Sequence, residues 1–265
     1  MYETSYHRAS SADDAVAKMA GADDGKFIAG GQTLLPTMKA RLAAPSDLID
    51  VTHIGDMHGI TINGKNVRIG AATTHNEVAT NAELRKVCPS ISNLASHIGD
   101  PAVRHRGTIG GSVANNDPAA DYPSAMMALG ATIHTTKREL AAEDFFTGMF
   151  ETALDDDEVI TAVSFTAPEK GAYAKFPNPA SRYAMAGVFV AHGADGVRVA
   201  VTGASSGGVY RATDMEAALS SSWSPDALDG CDQDAGMMLS DIHGTSEYRA
   251  NLVKVMAKRA VAAAG

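Results

Sequence analysis

A glycine pair flanked by hydroxyl groups is the feature of this sequence best suited to bind a phosphate. Gly110 and Gly111 lie in the segment TIGGS, with Thr108 before Ile109 at its start and Ser112 at its end. Glycine accepts positive φ angles and lets a ligand approach the backbone closely. Successive N–H groups in such a turn can form a nest for an anion. This segment is therefore a candidate phosphate site.

Polar side chains suited to a sugar follow directly in the segment NNDPAAD. Asn115, Asp117 and Asp121 lie within seven residues of chain, and carboxylates accept hydrogen bonds from ribose or ribitol hydroxyls. The alternative interpretation is a glycine turn followed by a capped helix, with Asp117 at its N-terminus and Pro118 in its first turn. Short glycine motifs often match by chance, so this segment alone leaves both interpretations open.

A second glycine pair favours a ligand with two phosphates. Gly30 and Gly31 follow an apolar stretch that ends in Ile28, and Gln32 and Thr33 precede a predicted helix. Two units of this kind, each running from a strand into a glycine loop, suit a dinucleotide. Neither matches the G-x-G-x-x-G spacing of the Rossmann fingerprint or the G-x-x-x-x-G-K-[ST] spacing of the P-loop.

Composition excludes several other classes of function. The net charge of −9 argues against a nucleic-acid surface, which needs clustered Lys and Arg. No apolar run approaches the roughly 18 residues of a membrane span, and the N-terminus lacks a signal-peptide pattern, so we expect a cytoplasmic protein. Cys88 and Cys231 are too few for an iron–sulfur cluster, which normally needs four cysteines. The nine histidines form no H-x-x-x-H or H-E-x-x-H pattern, and we predict no metal site.

The elements that position these residues indicate an α+β fold. Alternating residues around Asn63-Gly64 predict a β-hairpin. The acidic run 155–158 lacks the ligand spacing of a calcium loop and predicts a solvated turn. A break at 167–171 divides the chain into predicted domains 1–170 and 171–265. Three antiparallel strands followed by helices are predicted in the second domain, at 172–176, 186–193 and 197–202.

The glycine segments together resemble the FAD-binding medium subunit of the molybdenum hydroxylases. This family includes the medium chain of aerobic carbon monoxide dehydrogenase and the FAD-binding subunit of xanthine dehydrogenase. The resemblance extends over most of the chain, through DLIDV at 47–51, RIGAATTHNEV at 68–78, NPASRYAMAGVFVA at 178–191 and YRANLVKVMAKRAV at 248–261. It implies a two-lobed FAD-binding domain of the PCMH type, followed by a smaller C-terminal domain of the carbon monoxide dehydrogenase flavoprotein type, with a three-stranded antiparallel sheet and helices.

The resemblance also implies which residues bind the cofactor. Backbone amides of both glycine segments would hold the FAD pyrophosphate, Asp117 and Asp121 would take sugar or ribitol hydroxyls, and apolar side chains would lie near the rings. Flavin performs the redox step itself, so no catalytic acid or base is predicted. The cofactor-binding residues predicted in this way are Ile28, Ala29, Gly30, Gly31, Gln32, Thr33, Leu34, Ile98, Thr108, Ile109, Gly110, Gly111, Ser112, Asn115, Asp117, Asp121, Ile160 and Lys175.

The function implied is that of an electron-transfer subunit of an oxidoreductase. In this family a large subunit carries the molybdenum–pterin cofactor, and a small subunit carries two [2Fe–2S] clusters that pass electrons to FAD. The acceptor is a quinone, NAD or oxygen, and the expected assembly is a dimer of heterotrimers. Two alternatives are a free-standing flavin oxidoreductase, such as an oxidase or a reductase resembling MurB, and an assembly scaffold without FAD. The C-terminal region shows no acid or base of its own for the first, and intact glycine pairs argue against the second.

Overall fold

The computed structural model describes residues 1–265 as an α+β protein. It contains three short 3₁₀ helices, at Gly55–Met57, Pro225–Leu228 and Ala235–Met237, besides the α-helices and strands given below. None of the helices is long and apolar enough to cross a membrane. The strands are β1 (Ser5–Arg8), β2 (Gly25–Ile28), β3 (Asp47–Asp50), β4 (Ile60–Asn63), β5 (Asn66–Gly70), β6 (Thr132–Thr135), β7 (Glu139–Ala141), β8 (Phe146–Gly148), β9 (Glu151–Thr152), β10 (Ile160–Thr166), β11 (Lys170–Pro177), β12 (Ala184–Gly193), β13 (Gly196–Thr202) and β14 (Tyr210–Arg211). The helices are α1 (Ala12–Ala20), α2 (Leu34–Lys39), α3 (His75–Thr80), α4 (Ala82–Val87), α5 (Pro89–Ser96), α6 (Pro101–Arg104), α7 (Ile109–Asn115), α8 (Tyr122–Ala128), α9 (Ala142–Phe145), α10 (Thr213–Ser221) and α11 (Ser246–Ala264).

Two sheets form the two lobes of the N-terminal region. The first lobe is a parallel sheet in the order β1-β3-β2, in which α1 connects β1 to β2. The second is an antiparallel sheet in the order β4-β5-β10-β6-β7. Its β4–β5 hairpin turns through Gly64, which has a φ of +61° that favours glycine. The hairpin predicted from Asn63-Gly64 is therefore confirmed.

The C-terminal sheet is antiparallel in the order β11-β12-β13-β14. Its three long strands confirm the predicted sheet, and the two-residue edge strand β14, too short to show alternation, adds a fourth. Phe189 and Ala191 of β12 pack in the larger of the two main hydrophobic cores, whereas Val188 and Val190 pack with α10 and α11 in the smaller one. Burial on both faces explains why this strand is a continuous apolar run.

The two cores do not separate at a single point of the chain. The larger contains 38 buried residues and the smaller 22. Tyr173, Phe189 and Ala200 lie in the larger core although they follow the predicted boundary. The division into 1–170 and 171–265 stays a prediction.

The acidic run differs from its prediction at one residue. Asp155 and Asp156 are exposed, as a solvated turn requires, but Glu158 is buried. Its carboxylate accepts hydrogen bonds from the Arg138 guanidinium at 2.9 Å and the Thr135 hydroxyl at 2.6 Å. A buried carboxylate needs such partners, and β6 and the turn after it supply them from a distant part of the sequence.

Candidate functional site

The first glycine segment connects the end of β2 to the start of α2. Gly31 has a φ of +67°, in the left-handed region that favours glycine. The backbone N–H groups of residues 30–34 have no hydrogen-bond acceptor within the chain. Consecutive free N–H groups of this kind suit an anion, and a phosphate in particular. The geometry of this segment agrees with the predicted phosphate site.

The two glycine segments touch through their backbones. A Cβ atom on Gly30 would lie 2.2 Å from the carbonyl oxygen of Arg106 and 2.6 Å from the Cα atom of Gly107. A Cβ atom on Gly111 would lie 3.6 Å from the Cβ atom of Ala29. Only glycine at position 30 permits this approach, because any larger residue would overlap the backbone that precedes the second segment.

In the second glycine segment most backbone amides already have acceptors within the chain, and the predicted contact of this segment with the pyrophosphate stays a prediction. Thr108 is the N-cap residue of α7, and its hydroxyl accepts a hydrogen bond from the Gly111 N–H group at 3.1 Å. The N–H groups of residues 109–112 all have acceptors within the chain, so these amides are not free to hold a phosphate. The segment offers the side chains of Ser112 and Asn115 instead, which line the cavity and have no hydrogen-bond partner. The local sequence of the segment could not reveal this, because the acceptors lie elsewhere in the chain. The N–H group of Ile109, for example, donates to the carbonyl of Thr73, two residues before α3.

The predicted residues come together around one cavity of about 650 Å³, within the usual range for ligand sites. Leu34, Ile98 and Ile160 give it an apolar wall. Every predicted cofactor-binding residue lines this cavity except Ile109, whose side chain is fully buried in the larger core. The side chain of Ile109 therefore packs in the core beneath the helix that carries the site, and its predicted contact with the cofactor stays a prediction.

Asp121 is held by residues of the C-terminal sheet. One oxygen forms an ion pair with the Lys175 ammonium at 2.9 Å, and the other accepts a hydrogen bond from the Tyr173 hydroxyl. Lys175 also donates to the carbonyl of His97 at 3.2 Å. Burial raises the pKa of Asp121, and the Lys175 charge opposes that shift. Since both oxygens already have partners, Asp121 orients Lys175, whose remaining donor is available to a ligand in the cavity.

Asp117 keeps a free acceptor. One of its oxygens accepts a hydrogen bond from the N–H group of Ala119 at 2.8 Å, and the other has no partner in the chain. Asp117 lines the cavity, and burial raises the pKa of its carboxyl group. The free oxygen can accept a hydrogen bond from a sugar hydroxyl.

Several cavity residues were not predicted from the sequence. Ser181, Arg182 and Tyr183, from the loop between β11 and β12, and Phe150 all line the cavity. Arg182 and Phe150 have positive φ angles of 63° and 58°, which non-glycine residues rarely adopt. Loop residues of this kind show no periodic pattern in the sequence. The only signals that could have identified them are the segment NPASRYAMAGVFVA, which contains Ser181, Arg182 and Tyr183, and the loop before β9, which contains Phe150. His75, noted in the sequence only as lacking a metal motif, also lines the cavity.

The fold and the cavity are those of an FAD-binding oxidoreductase. Residues 2–168 match the family described as the FAD binding domain in molybdopterin dehydrogenase, and the chain belongs to this family. The nicotine 6-hydroxylase medium subunit of Paenarthrobacter nicotinovorans is 35% identical, with 98% of this chain and 96% of the relative covered. The carbon monoxide dehydrogenase medium chain of Afipia carboxidovorans is 34% identical, with 97% and 94% covered. A crystal structure of Cu,Mo-CO dehydrogenase in its cyanide-inactivated form is similar with a TM-score of 0.89 and 33% identity, over 99% of this chain and 97% of that one.

These comparisons confirm the resemblance, the fold class and the FAD-binding character expected from the sequence. The site fits FAD on its own geometry as well. Free N–H groups at residues 30–34 suit the pyrophosphate, the unpartnered oxygen of Asp117 suits a sugar hydroxyl, and the apolar wall suits a ring system.

Proposed function

We propose that this chain is the electron-transfer subunit of a multi-subunit molybdenum hydroxylase. It would take electrons from [2Fe–2S] clusters of a partner and pass them to an external acceptor. The observation that carries this proposal is the row of unpartnered N–H groups at residues 30–34, which lies on a cavity large enough for a dinucleotide. FAD supplies the redox chemistry when it is bound, and the protein sets its position and its access to solvent.

Within this proposal the cavity residues have distinct roles. The amides of residues 30–34 hold the pyrophosphate, whose negative charges are met by N–H dipoles in an acidic protein without a lysine in the loop. Ser112 and Asn115 add side-chain hydrogen bonds, and Asp117 accepts one from a sugar hydroxyl. Leu34, Ile98 and Ile160 form the wall for a ring, and Lys175 offers its remaining N–H to the cofactor.

The rest of the electron-transfer chain is assigned to partner subunits. Cys88 lies in the larger core and Cys231 in the smaller one, so they cannot share a cluster. No group of three His, Cys, Asp or Glu residues is arranged to hold a metal ion. Relatives are named medium subunits or medium chains, which supports a large and a small partner subunit. By the family resemblance, the large subunit would carry a molybdenum–pterin cofactor and the small subunit two [2Fe–2S] clusters.

The finer parts of the proposal follow the family resemblance. The assembly would be a dimer of heterotrimers in the cytoplasm, and the electron acceptor a quinone, NAD or oxygen. The FAD-binding domain would comprise residues 1–170 and the C-terminal domain residues 171–265. The Asp121–Lys175 pair, which joins the two regions at the cavity, supports a cofactor site built from both.

The test is a cofactor and reduction assay on the chain alone and on the assembled complex. We expect the purified chain to release about one FAD on denaturation, identified by chromatography. Its flavin absorbance should bleach when the dithionite-reduced [2Fe–2S] subunit is added after removal of excess dithionite. Flavin that is not reduced by this subunit contradicts the electron-transfer role. Absence of FAD from both the chain and the complex favours a scaffold.

A further inference from the structure

His75 is a buried histidine on the cavity whose side chain has no hydrogen-bond partner in the chain. It is the first residue of α3, and its side chain lines the cavity although the residue is only 4% exposed. Its backbone N–H group donates to the carbonyl of Gly107 at 2.9 Å. A Cβ atom on Gly107 would lie 2.6 Å from Nε2 of the His75 ring. Because Gly30 packs against the same glycine, His75 lies where the two glycine segments meet.

The two ring nitrogens of His75 have different surroundings. Nδ1 is sealed from solvent and has no partner, whereas Nε2, also without a partner, is not sealed in this way. Buried N–H groups without an acceptor are rarer than buried acceptors without a donor. The favoured tautomer therefore carries its proton on Nε2, and the Nδ1 lone pair is the group left unpaired.

The ring is also neutral near pH 7. Burial lowers the pKa of His75 to about 4, and the charge of Arg104 contributes in the same direction. Arg104 itself is held by the carbonyls of Ile98 and Gly99, at 3.0 Å each. A neutral imidazole with a proton on Nε2 is a hydrogen-bond donor that brings no charge into the site.

We propose that His75 donates an Nε2–H hydrogen bond to a phosphate oxygen of bound FAD. This inference rests on the proposed function, since it assumes that FAD occupies the cavity. The donor stands beside Gly107, at the junction of the two segments, and adds a side chain to the free N–H groups of residues 30–34. The His75 hydrogen bond would compensate in part for the second glycine segment, because the N–H groups of residues 109–112 already have acceptors within the chain.

Two substitutions separate hydrogen bonding from packing. His75→Leu keeps an apolar side chain of similar size without a donor, and His75→Gln places an amide donor near the position of Nε2. Flavin fluorescence titration of the apoprotein should give a dissociation constant for FAD that rises about 10- to 100-fold in His75→Leu, the loss of one hydrogen bond to a charged group. His75→Gln should stay within a few-fold of the unsubstituted protein. Affinity for riboflavin, which has no phosphate, should be equal in all three.

Long-range ¹⁵N–¹H spectra of the ring provide the second measurement. We expect a neutral ring protonated on Nε2, whose proton resonance moves when FAD is added. His105→Gln is the matched control, because His105 is exposed and does not line the cavity. Equal FAD affinity in His75→Leu and the unsubstituted protein, or a proton on Nδ1 in the complex, overturns the inference. Failure of the unsubstituted protein to bind FAD would instead overturn the proposed function.

Discussion

Asp121 and Lys175 form a buried ion pair that joins the segment after the second glycine pair to the first strand of the C-terminal sheet. The carboxylate and ammonium are 2.9 Å apart, and each side chain is only 5% exposed. The Tyr173 hydroxyl bonds the same carboxylate. A wall of the cavity is therefore built from both parts of the chain, and the site depends on how they pack.

Lys175→Met is expected to destabilise the FAD-free protein by about 3–5 kcal/mol, because it leaves the Asp121 charge buried without its partner. Chemical denaturation of the apoprotein measures this free energy. The double variant Asp121→Asn/Lys175→Met should recover part of the loss, since neither charge is then left alone. Lys86→Met, which removes an exposed partner of Glu83, should change stability by less than about 1 kcal/mol. Equal losses in the single and double variants would contradict a charge effect.

Gly30→Ala is expected to weaken FAD binding by about 10- to 100-fold. The new Cβ atom would overlap the Arg106 carbonyl, so the two glycine segments must move apart and the row of free N–H groups is displaced. Overpacking should also lower the free energy of unfolding by about 1–3 kcal/mol. Equilibrium dialysis and denaturation measure the two effects. Gly230→Ala is the control, because no atom lies within 4 Å of its Cβ position, and a similar result for both variants would refute the contact.

Glu158 should make the protein sensitive to acid. Burial raises the pKa of this carboxyl group, but hydrogen bonds from Arg138, Thr135 and the Asp155 backbone outweigh it and lower the pKa to about 2. A group whose pKa is lowered on folding stabilises the native state above its unfolded pKa, near 4.5, and loses that contribution as the pH falls towards 2.

The measurement for Glu158 is the free energy of unfolding between pH 7 and pH 3. Glu158→Gln should be less stable than the unsubstituted protein at pH 7, and the difference should shrink as the pH falls below about 4.5. The exposed Glu3→Gln variant should follow the unsubstituted protein throughout. A difference that is the same at every pH would show that ionisation of Glu158 contributes nothing.

Arg249 anchors the last helix to the C-terminal sheet. Its guanidinium donates to the carbonyls of Met185 and Gly203 at 3.0 and 3.1 Å and pairs with Asp241 at 2.7 Å. Arg249→Met should cost about 2–5 kcal/mol, because it leaves two buried carbonyl groups without donors.

Arg259→Met is the matched control for Arg249, since Arg259 lies on the same helix but is exposed. We expect its free energy of unfolding to stay within about 0.5 kcal/mol of the unsubstituted value. Arg249→Lys should be intermediate, because a single ammonium cannot reproduce the planar fork of donors. Thermal or chemical denaturation distinguishes the three, and equal stability of Arg249→Met and Arg259→Met would contradict the anchoring role.

Much of the site could be predicted from the sequence because it depends on local backbone freedom. Gly31 and Gly64 adopt positive φ angles, and glycine marks such positions wherever it occurs. The three long C-terminal strands and the α+β class were likewise legible from apolar runs and turns. The edge strand β14 was not, because two residues carry no pattern.

The sequence by itself determined which residues could serve the site, since residue type fixes backbone freedom, charge and donor capacity. Tertiary structure alone decided which of those groups remain available. The N–H group of Ile109 donates to the carbonyl of Thr73, and the two carboxylate oxygens of Asp121 bond to Lys175 and Tyr173. The amides of residues 30–34, by contrast, have no partner in the chain. Hydrogen-bond partners are chosen by proximity in space, and these partners come from distant parts of the chain, so no local pattern could identify them.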